Sequence, residues 1–153
     1  MDRVDIKILR YLQRNCRLPI AELADKVNLS TSACHRRVKL LEESKKIEGY
    51  SARLNPRNLG YRVLVYAEIS LNSQSDECLN NFEQAVKICP EILECHLMSG
   101  EADYLIKVAA RSTDHYERIH RRTISHLPGI SKMKSNFVLR TIQGWEGYLV
   151  DRE

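Results

Sequence analysis

The sequence predicts an α+β chain in two parts. An N-terminal three-helix, helix-turn-helix unit is followed by a C-terminal βαββαβ unit with a four-stranded antiparallel sheet. Three observations carry this. Apolar residues recur at helical spacing up to Glu43 and change to period two just after Tyr61. Charge divides near the same place: residues 1–60 hold thirteen Lys/Arg against seven Asp/Glu, a balance of +6, whereas residues 61–153 hold eleven against thirteen, a balance of −2. Asn55-Pro56, Asn58 and Gly60 supply turn chemistry between the two parts. The expected boundaries are 1–50 for the helical unit, 51–61 for a linker or short wing-like extended segment, and 62–153 for the sheet unit.

The first helix is expected from Asp2, a capping residue, to Arg14, with Val4, Ile8, Leu9 and Leu12 as its apolar stripe. A second, short helix carries Leu23, Ala24 and Val27 on one face. Asn28 then stands where the chain must turn, and Asn tolerates the left-handed conformation. Leu29 plugs the corner. Ser30 is a good N-cap for a third helix whose back is Cys34, Val38 and Leu41. That leaves Ser30, Thr31, Ser32, His35, Arg36 and Lys39 at the front, with Arg37 at the flank. A helix-turn-helix lays such a helix, front end first, in the major groove of double-stranded DNA. The alternative is an ordinary helical hairpin with solvated charges.

In the second part, Val63, Val65, Ala67, Ile69 and Leu71 alternate with Leu64, Tyr66, Glu68, Ser70 and Asn72, a strand pattern. Residues 75–88 return to helical spacing through Leu79, Phe82 and Val86, and Pro90 ends that helix. Strands are expected at Ile92–Ser99 and Asp103–Ala110. A helix from about Thr113 buries Tyr116, Ile119, Thr123 and Leu127, and a last strand runs from Ile130 to Ile142. The order is that of the split, ferredoxin-like fold, with both helices on one sheet face. Apolar residues on both sides of the first and last strands predict that the other face packs on a second subunit.

No apolar run approaches the length of a membrane span, and no signal-peptide core opens the chain. Cysteines at 16, 34, 78, 89 and 95 form no C-x-x-C pair, so a reducing cytoplasmic setting is expected, without disulfide framework, zinc site or other metal.

The chain resembles the Lrp/AsnC (leucine-responsive/asparagine-responsive, feast/famine) family of transcriptional regulators. Leu29–Glu42, LSTSACHRRVKLLE, is similar to the family's recognition helix. Ile47–Pro56, IEGYSARLNP, follows it, and Glu94–Lys107, ECHLMSGEADYLIK, resembles the family's strand, S-G-x-x-D-Y loop and strand. Leu127-Pro128-Gly129-Ile130 also fits. Asn28 stands where members often have Gly, and Ala33 where they often have Pro; the tail after Gln143 follows no family pattern.

The resemblance implies a DNA-binding regulator, associated with the nucleoid, whose homodimers assemble to octamers and whose second domain senses a small-molecule effector, often an amino acid. No resident cofactor is implied. The effector would lie at Ser99, Gly100, Glu101, Asp103 and Tyr104, with Ser135 and Asn136 on the last strand completing the site. Backbone N–H groups at Gly100 would receive a carboxylate, and Glu101 or Asp103 an α-ammonium. The plainer alternative is a β-turn in which Asp103 bonds locally. Two rival functions are an architectural DNA-binding protein with little effector control, and an enzyme like the haem-precursor decarboxylases of similar layout, which His96, His115, His120 and His126 keep open; with no reaction signature in the chain and a basic recognition helix retained, no enzyme is expected.

Overall fold

The computed structural model describes residues 1–150. It divides into two compact units, one comprising Met1–Arg53 with the segment from Gln143 onward, the other Leu54–Ile142.

In the first unit, α1 (Arg3–Arg14), α2 (Ile20–Val27) and α3 (Thr31–Glu43) enclose a core of Ile8, Leu12, Leu23, Ala24, Val27, Cys34 and Leu41. Asp2 caps α1, and the cap is reciprocal: Asp5 N–H donates to Asp2 at 2.9 Å and Asp2 N–H to the Asp5 carboxylate at 3.2 Å. Asn28 takes the left-handed conformation, φ 56° and ψ 51°, and its N–H bonds to Ala24 and Asp25 carbonyls at the end of α2. Ser30 Oγ accepts from Ala33 N–H at 3.3 Å to start α3. Lys45 is also left-handed (φ 56°), and Lys46 N–H returns to Leu41 C=O at 2.9 Å, which closes α3.

The segment from Gln143 belongs with this helical unit, so the expected 62–153 boundary changes at its end. The cause is a main-chain clamp. Gln13 Nε2 donates to Tyr148 C=O at 2.7 Å while Tyr148 N–H donates to Gln13 Oε1 at 2.9 Å. Arg10 Nε donates to Val150 C=O at 2.7 Å. Gly147 runs at φ +115°, and a Cβ there would collide with the Gln13 side chain.

In the second unit, Asn55 Oδ1 accepts from Arg57 and Asn58 N–H groups and Tyr61 N–H returns to Pro56 C=O, making a tight turn. No strand forms between α3 and β1, so the segment is a linker turn and not a wing. Then follow β1 (Val63–Leu71), α4 (Asp76–Lys87), β2 (Ile92–Leu97), β3 (Tyr104–Ala110), α5 (Thr113–Arg122), a 3-10 turn (Ile124–His126) and β4 (Ile130–Phe137). The strands pair antiparallel in the order β2-β3-β1-β4, the ferredoxin-like arrangement. Ser75 and Ser112 cap α4 and α5.

The predicted inward residues of β1 are inward: Val65, Ala67 and Ile69 are fully buried against Phe82, Ile106, Val108 and Tyr116. Gly129 (φ +78°) enters β4 where any Cβ would meet Cys78 Sγ at 2.8 Å. β4 ends at Phe137, short of Ile142. Val138 N–H still reaches Leu64 C=O, but β1 begins at Val63 and offers nothing further to pair with, and Leu139 is 99% exposed.

The open sheet face departs from expectation. Register sets Glu68 beside Lys134, Ser70 beside Lys132 and Tyr66 beside Asn136, so β4 presents a polar row there. The apolar part is confined to Leu64, Tyr66, Leu105 and Ala109 on the central strands, next to the Lys107–Glu94 ion pair (2.6 Å).

Candidate functional site

Two groups of side chains stand out, one in each unit. On α3, Thr31, Ser32, His35, Arg36 and Lys39 are all exposed, because Cys34 and Leu41 take the buried positions of the same helix. Ser30 is partly engaged: its Oγ caps the helix and lies 3.2 Å from Ser32 Oγ. Lys39 makes only a loose pair with Glu43 at 3.7 Å across one helical turn, with 67% of its side chain exposed. Among the described residues Arg36 has no ion-pair partner and Thr31 and Ser32 face water. This front can therefore offer hydroxyls, an imidazole and two cations to a polyanion at little cost in lost internal bonds.

Arg37 differs. Its Nη1 donates to Asp2 and, at 2.9 Å, to Asp5, so the guanidinium ties α3 to the N-terminal cap of α1. Asp2 is held below the usual carboxylate range, first by the Asp5 N–H and then by Arg37. Arg37 in turn is held above the usual guanidinium value, first by its bond to Asp2 and then by that to Asp5. Arg37, expected at the flank of the helix, is thus already paired within the domain. A residue at the flank of an amphipathic helix can turn to either side, and only the arrival of α1 decides which. Behind the front, Cys34 is fully buried and its thiol pKa is pushed up by burial, which suits a small hydrophobe.

In the second unit the β2–β3 loop, Ser99 to Ala102, rises at the edge of the sheet. Ser99, Gly100 and Glu101 are exposed. Gly100 does not need a positive φ, and a Cβ there would meet open space. Asp103 is spent on the fold: its carboxylate accepts from Leu71 N–H at 2.7 Å and from Gln74 Nε2 at 2.9 Å. Tyr104 is 1% exposed, stacks on Phe82 and donates its hydroxyl to Glu83 at 2.9 Å. Burial, then that bond, raises its pKa. Both side chains thus have partners within the domain, and the strand that follows the loop turns Tyr104 inward by its register with Ile69. Ser135 also points to the helix side, within 2.6 Å of Tyr116 Oη. Asn136 faces the open side and donates to Glu68 at 2.8 Å.

Of the expected effector residues, Glu101 is the one that lines a recess. The recess is about 120 Å³ and is walled by Glu68 and Ser70 of β1, Glu101 and Ala102 of the loop, and Lys132 and Lys134 of β4. Glu68, Ser70, Lys132 and Lys134 were not legible as site residues, because each reads in sequence as the polar phase of a strand. The signal available was their shared phase: all four fall on the face opposite the apolar alternation.

The first 42 residues match the AsnC-type helix-turn-helix domain, and residues 64–144 match the Lrp/AsnC ligand binding domain. The chain belongs to the Lrp/AsnC family. It is 37% identical over 142 residues to the Bkd operon transcriptional regulator of Pseudomonas aeruginosa, covering 93% of each chain. It is 37% identical to the leucine-responsive regulatory protein of Escherichia coli, covering 94% of this chain and 87% of that one. Among solved structures, an AsnC family transcriptional regulator from Agrobacterium tumefaciens superposes with a TM-score of 0.93 at 36% identity, over 98% and 97% of the two chains. A transcriptional regulator from Neisseria meningitidis in complex with L-Met superposes at 0.89 with 32% identity, over 94% and 93%. This Lrp/AsnC member is accordingly a DNA-binding transcriptional regulator with a ligand-binding domain, and not an enzyme. Among the described residues no cluster of three or more His, Cys, Asp or Glu could hold a metal, and no helix is long and apolar enough to cross a membrane.

Proposed function

We propose that this regulator reads double-stranded DNA with the front of α3 and changes its DNA binding in response to an amino acid held at the β2–β3 loop. The observation that carries the first half is the contrast on one helix: Arg37 is consumed by Asp2 and Asp5, whereas Arg36, His35, Thr31 and Ser32 are exposed. Arg36 and Lys39 contribute sequence-independent attraction to phosphates, and Ser30, Thr31, Ser32 and His35 are short enough to approach base edges. Support for the second half comes from the exposed loop residues Ser99, Gly100 and Glu101, from the match to the ligand binding domain and from the L-Met complex of the Neisseria relative. Ser99, Gly100 and Glu101, exposed on the loop, are the residues through which it would meet the effector, with Asp103 and Tyr104 shaping the loop behind them.

The working unit is a homodimer built on the open sheet face, where Leu64, Tyr66, Leu105 and Ala109 would be covered, and four dimers then assemble to an octamer. A two-fold pair of α3 helices reads a roughly palindromic site with half-sites spaced by turns of the duplex. The protein acts in the cytoplasm, on the nucleoid. Genomic fragments captured by the full chain, followed by anisotropy titrations with and without each common amino acid, test this reading. An amino acid that shifts the DNA affinity supports it; sequence-specific binding that no amino acid alters would favour an architectural role. Light scattering should report a dimer or a larger multiple, and a stable monomer at micromolar concentration refutes the sheet-face assembly.

A further inference from the structure

We propose that α5 carries a second contact with DNA, a stripe of arginines that meets the phosphate backbone of duplex flanking the operator. It adds to the reading by α3, on whose hold on DNA it rests, and is independent of the effector.

Charge in the sheet unit is unevenly spread. Residues 111–122 hold four Arg against two Asp/Glu, a balance of +2, whereas the rest of 61–153 holds seven Lys/Arg against eleven Asp/Glu, a balance of −4. The other helix of the unit, α4, has three acidic residues and one lysine. The segment through α5 is thus a cationic element in an otherwise acidic unit.

Helical spacing sorts the charges of α5 into two stripes. Tyr116 and Ile119 take the buried side. His115, Arg118 and Arg122 follow at i, i+3 and i+7 along one flank, and Asp114, Glu117 and Arg121 follow at the same spacing along the other. The second stripe is partly neutralised within itself, Arg121 Nε lying 3.4 Å from Glu117. The first contains no carboxylate. Arg118 and Arg122 are exposed and, among the described residues, have no ion-pair partner. Cations continue ahead of the helix. His115 Nδ1 accepts from Arg111 N–H at 3.0 Å, and Arg62 N–H donates to Ala110 C=O at 3.0 Å, which sets Arg62 beside Arg111. Both are exposed, and neither has an ion-pair partner among the described residues.

The helix dipole explains only part of this. Cations in the last turn, His120, Arg121 and Arg122, complement the negative end of α5. Arg118 stands mid-helix, and Arg62 and Arg111 stand near the positive end, where the dipole disfavours them. A polyanion laid along the stripe would satisfy all four arginines at once. Arg118 and Arg122 are about 6 Å apart along the axis, so each can take its own phosphate. Duplex is the occupant that charge complementarity selects, because α3 already holds it and keeps its flanking phosphates at high local concentration. α5 packs on the side of the sheet away from the dimer face, with Tyr116 Oη 2.6 Å from Ser135 Oγ, so the stripe stays open in the dimer.

The test is a set of anisotropy titrations across salt with the full chain and two DNA fragments. One is the operator trimmed to its two half-sites, and the other extends it by about 20 base pairs on each side, roughly two helical turns. Arg118→Gln with Arg122→Gln should leave the slope of log affinity against log salt unchanged on the trimmed fragment. On the extended one the slope should fall by about 1.8 to 3.6, as expected for two to four phosphate contacts in a two-fold complex. Arg118→Lys with Arg122→Lys should keep the wild-type slope, since the contact is one of charge. Lys87→Gln with Arg121→Gln, which removes the same charge elsewhere, should keep it too. Arg36→Ala should lower the slope on both fragments, which separates a failure of the α5 contact from a failure of the α3 reading. Circular dichroism melts check that each variant folds. An unchanged slope on the extended fragment for the Gln pair overturns the contact and leaves the stripe to a role in helix stability or to an acidic protein partner. An equal loss on both fragments, or an equal loss in the charge-matched control, overturns it as well.

Discussion

Replacing Arg36 and Arg37 separately should produce two different defects, although the residues are neighbours of identical type. Arg36→Ala removes an exposed cation from the front of α3 and touches nothing that holds the domain together. If Arg36 meets one phosphate per protomer, a two-fold complex loses two contacts, and the slope of log affinity against log salt falls by about 1.8. Raising salt fourfold, from about 50 to about 200 mM, should then weaken the wild type roughly twelvefold more than the variant. Thermal stability should be unchanged, since surface substitutions away from packed features have small effects.

Arg37→Ala should do the reverse. It leaves Asp2 and Asp5 facing each other without the guanidinium that bridges them, so the melting temperature falls while the salt slope keeps its wild-type value. Acid titration adds a second readout. Asp2 has a depressed pKa in the folded state, so its contribution is present above the ordinary carboxylate value near 4 and is lost as pH falls through the lowered one. In the variant the part owed to Arg37 is gone, and the acid limb of the stability curve flattens. The assays are anisotropy titrations at several salt concentrations and melts across pH 2–6. A reduced salt slope for Arg37→Ala with none for Arg36→Ala would refute the assignment of the two arginines.

Three further outcomes are expected. Asn28→Ala should cost about 1 kcal/mol in chemical denaturation, because a Cβ without a compensating polar group is strained at φ 56°, whereas Asn28→Gly should be close to neutral. Ile69→Ala, at a fully buried position between β3 and β4, should destabilise by about 2–5 kcal/mol through lost burial and the cavity left behind; a loss below ~1 kcal/mol would mean the core is misassigned. Gly147→Ala should push Gln13 aside and release its two bonds to Tyr148, at about 1 kcal/mol each, making the tail cleavable by protease at concentrations that spare the wild type; equal resistance would show that the clamp does not hold the tail.

Local patterns were sufficient for the elements of both units. Caps, turn residues and apolar periodicity act over three or four neighbours, so Asp2, Ser30, Asn28 and the alternation from Val63 to Leu71 announce their structures without reference to the rest of the chain. The same local chemistry exposes the front of α3: once Cys34 and Leu41 are buried, helical geometry sends Thr31, Ser32, His35 and Arg36 outward. Partnerships between distant residues were another matter. Arg37 is bound by carboxylates 32 and 35 positions away, and Asp103 by a backbone amide 32 positions away. The tail is bound by a side chain 135 positions away. The recess joins β1, β4 and the β2–β3 loop, segments whose polar residues look alike in sequence as solvent-facing phase. Periodicity tells which face a residue occupies, but which other segment shares that face is decided by strand order and register, and these are properties of the assembled sheet.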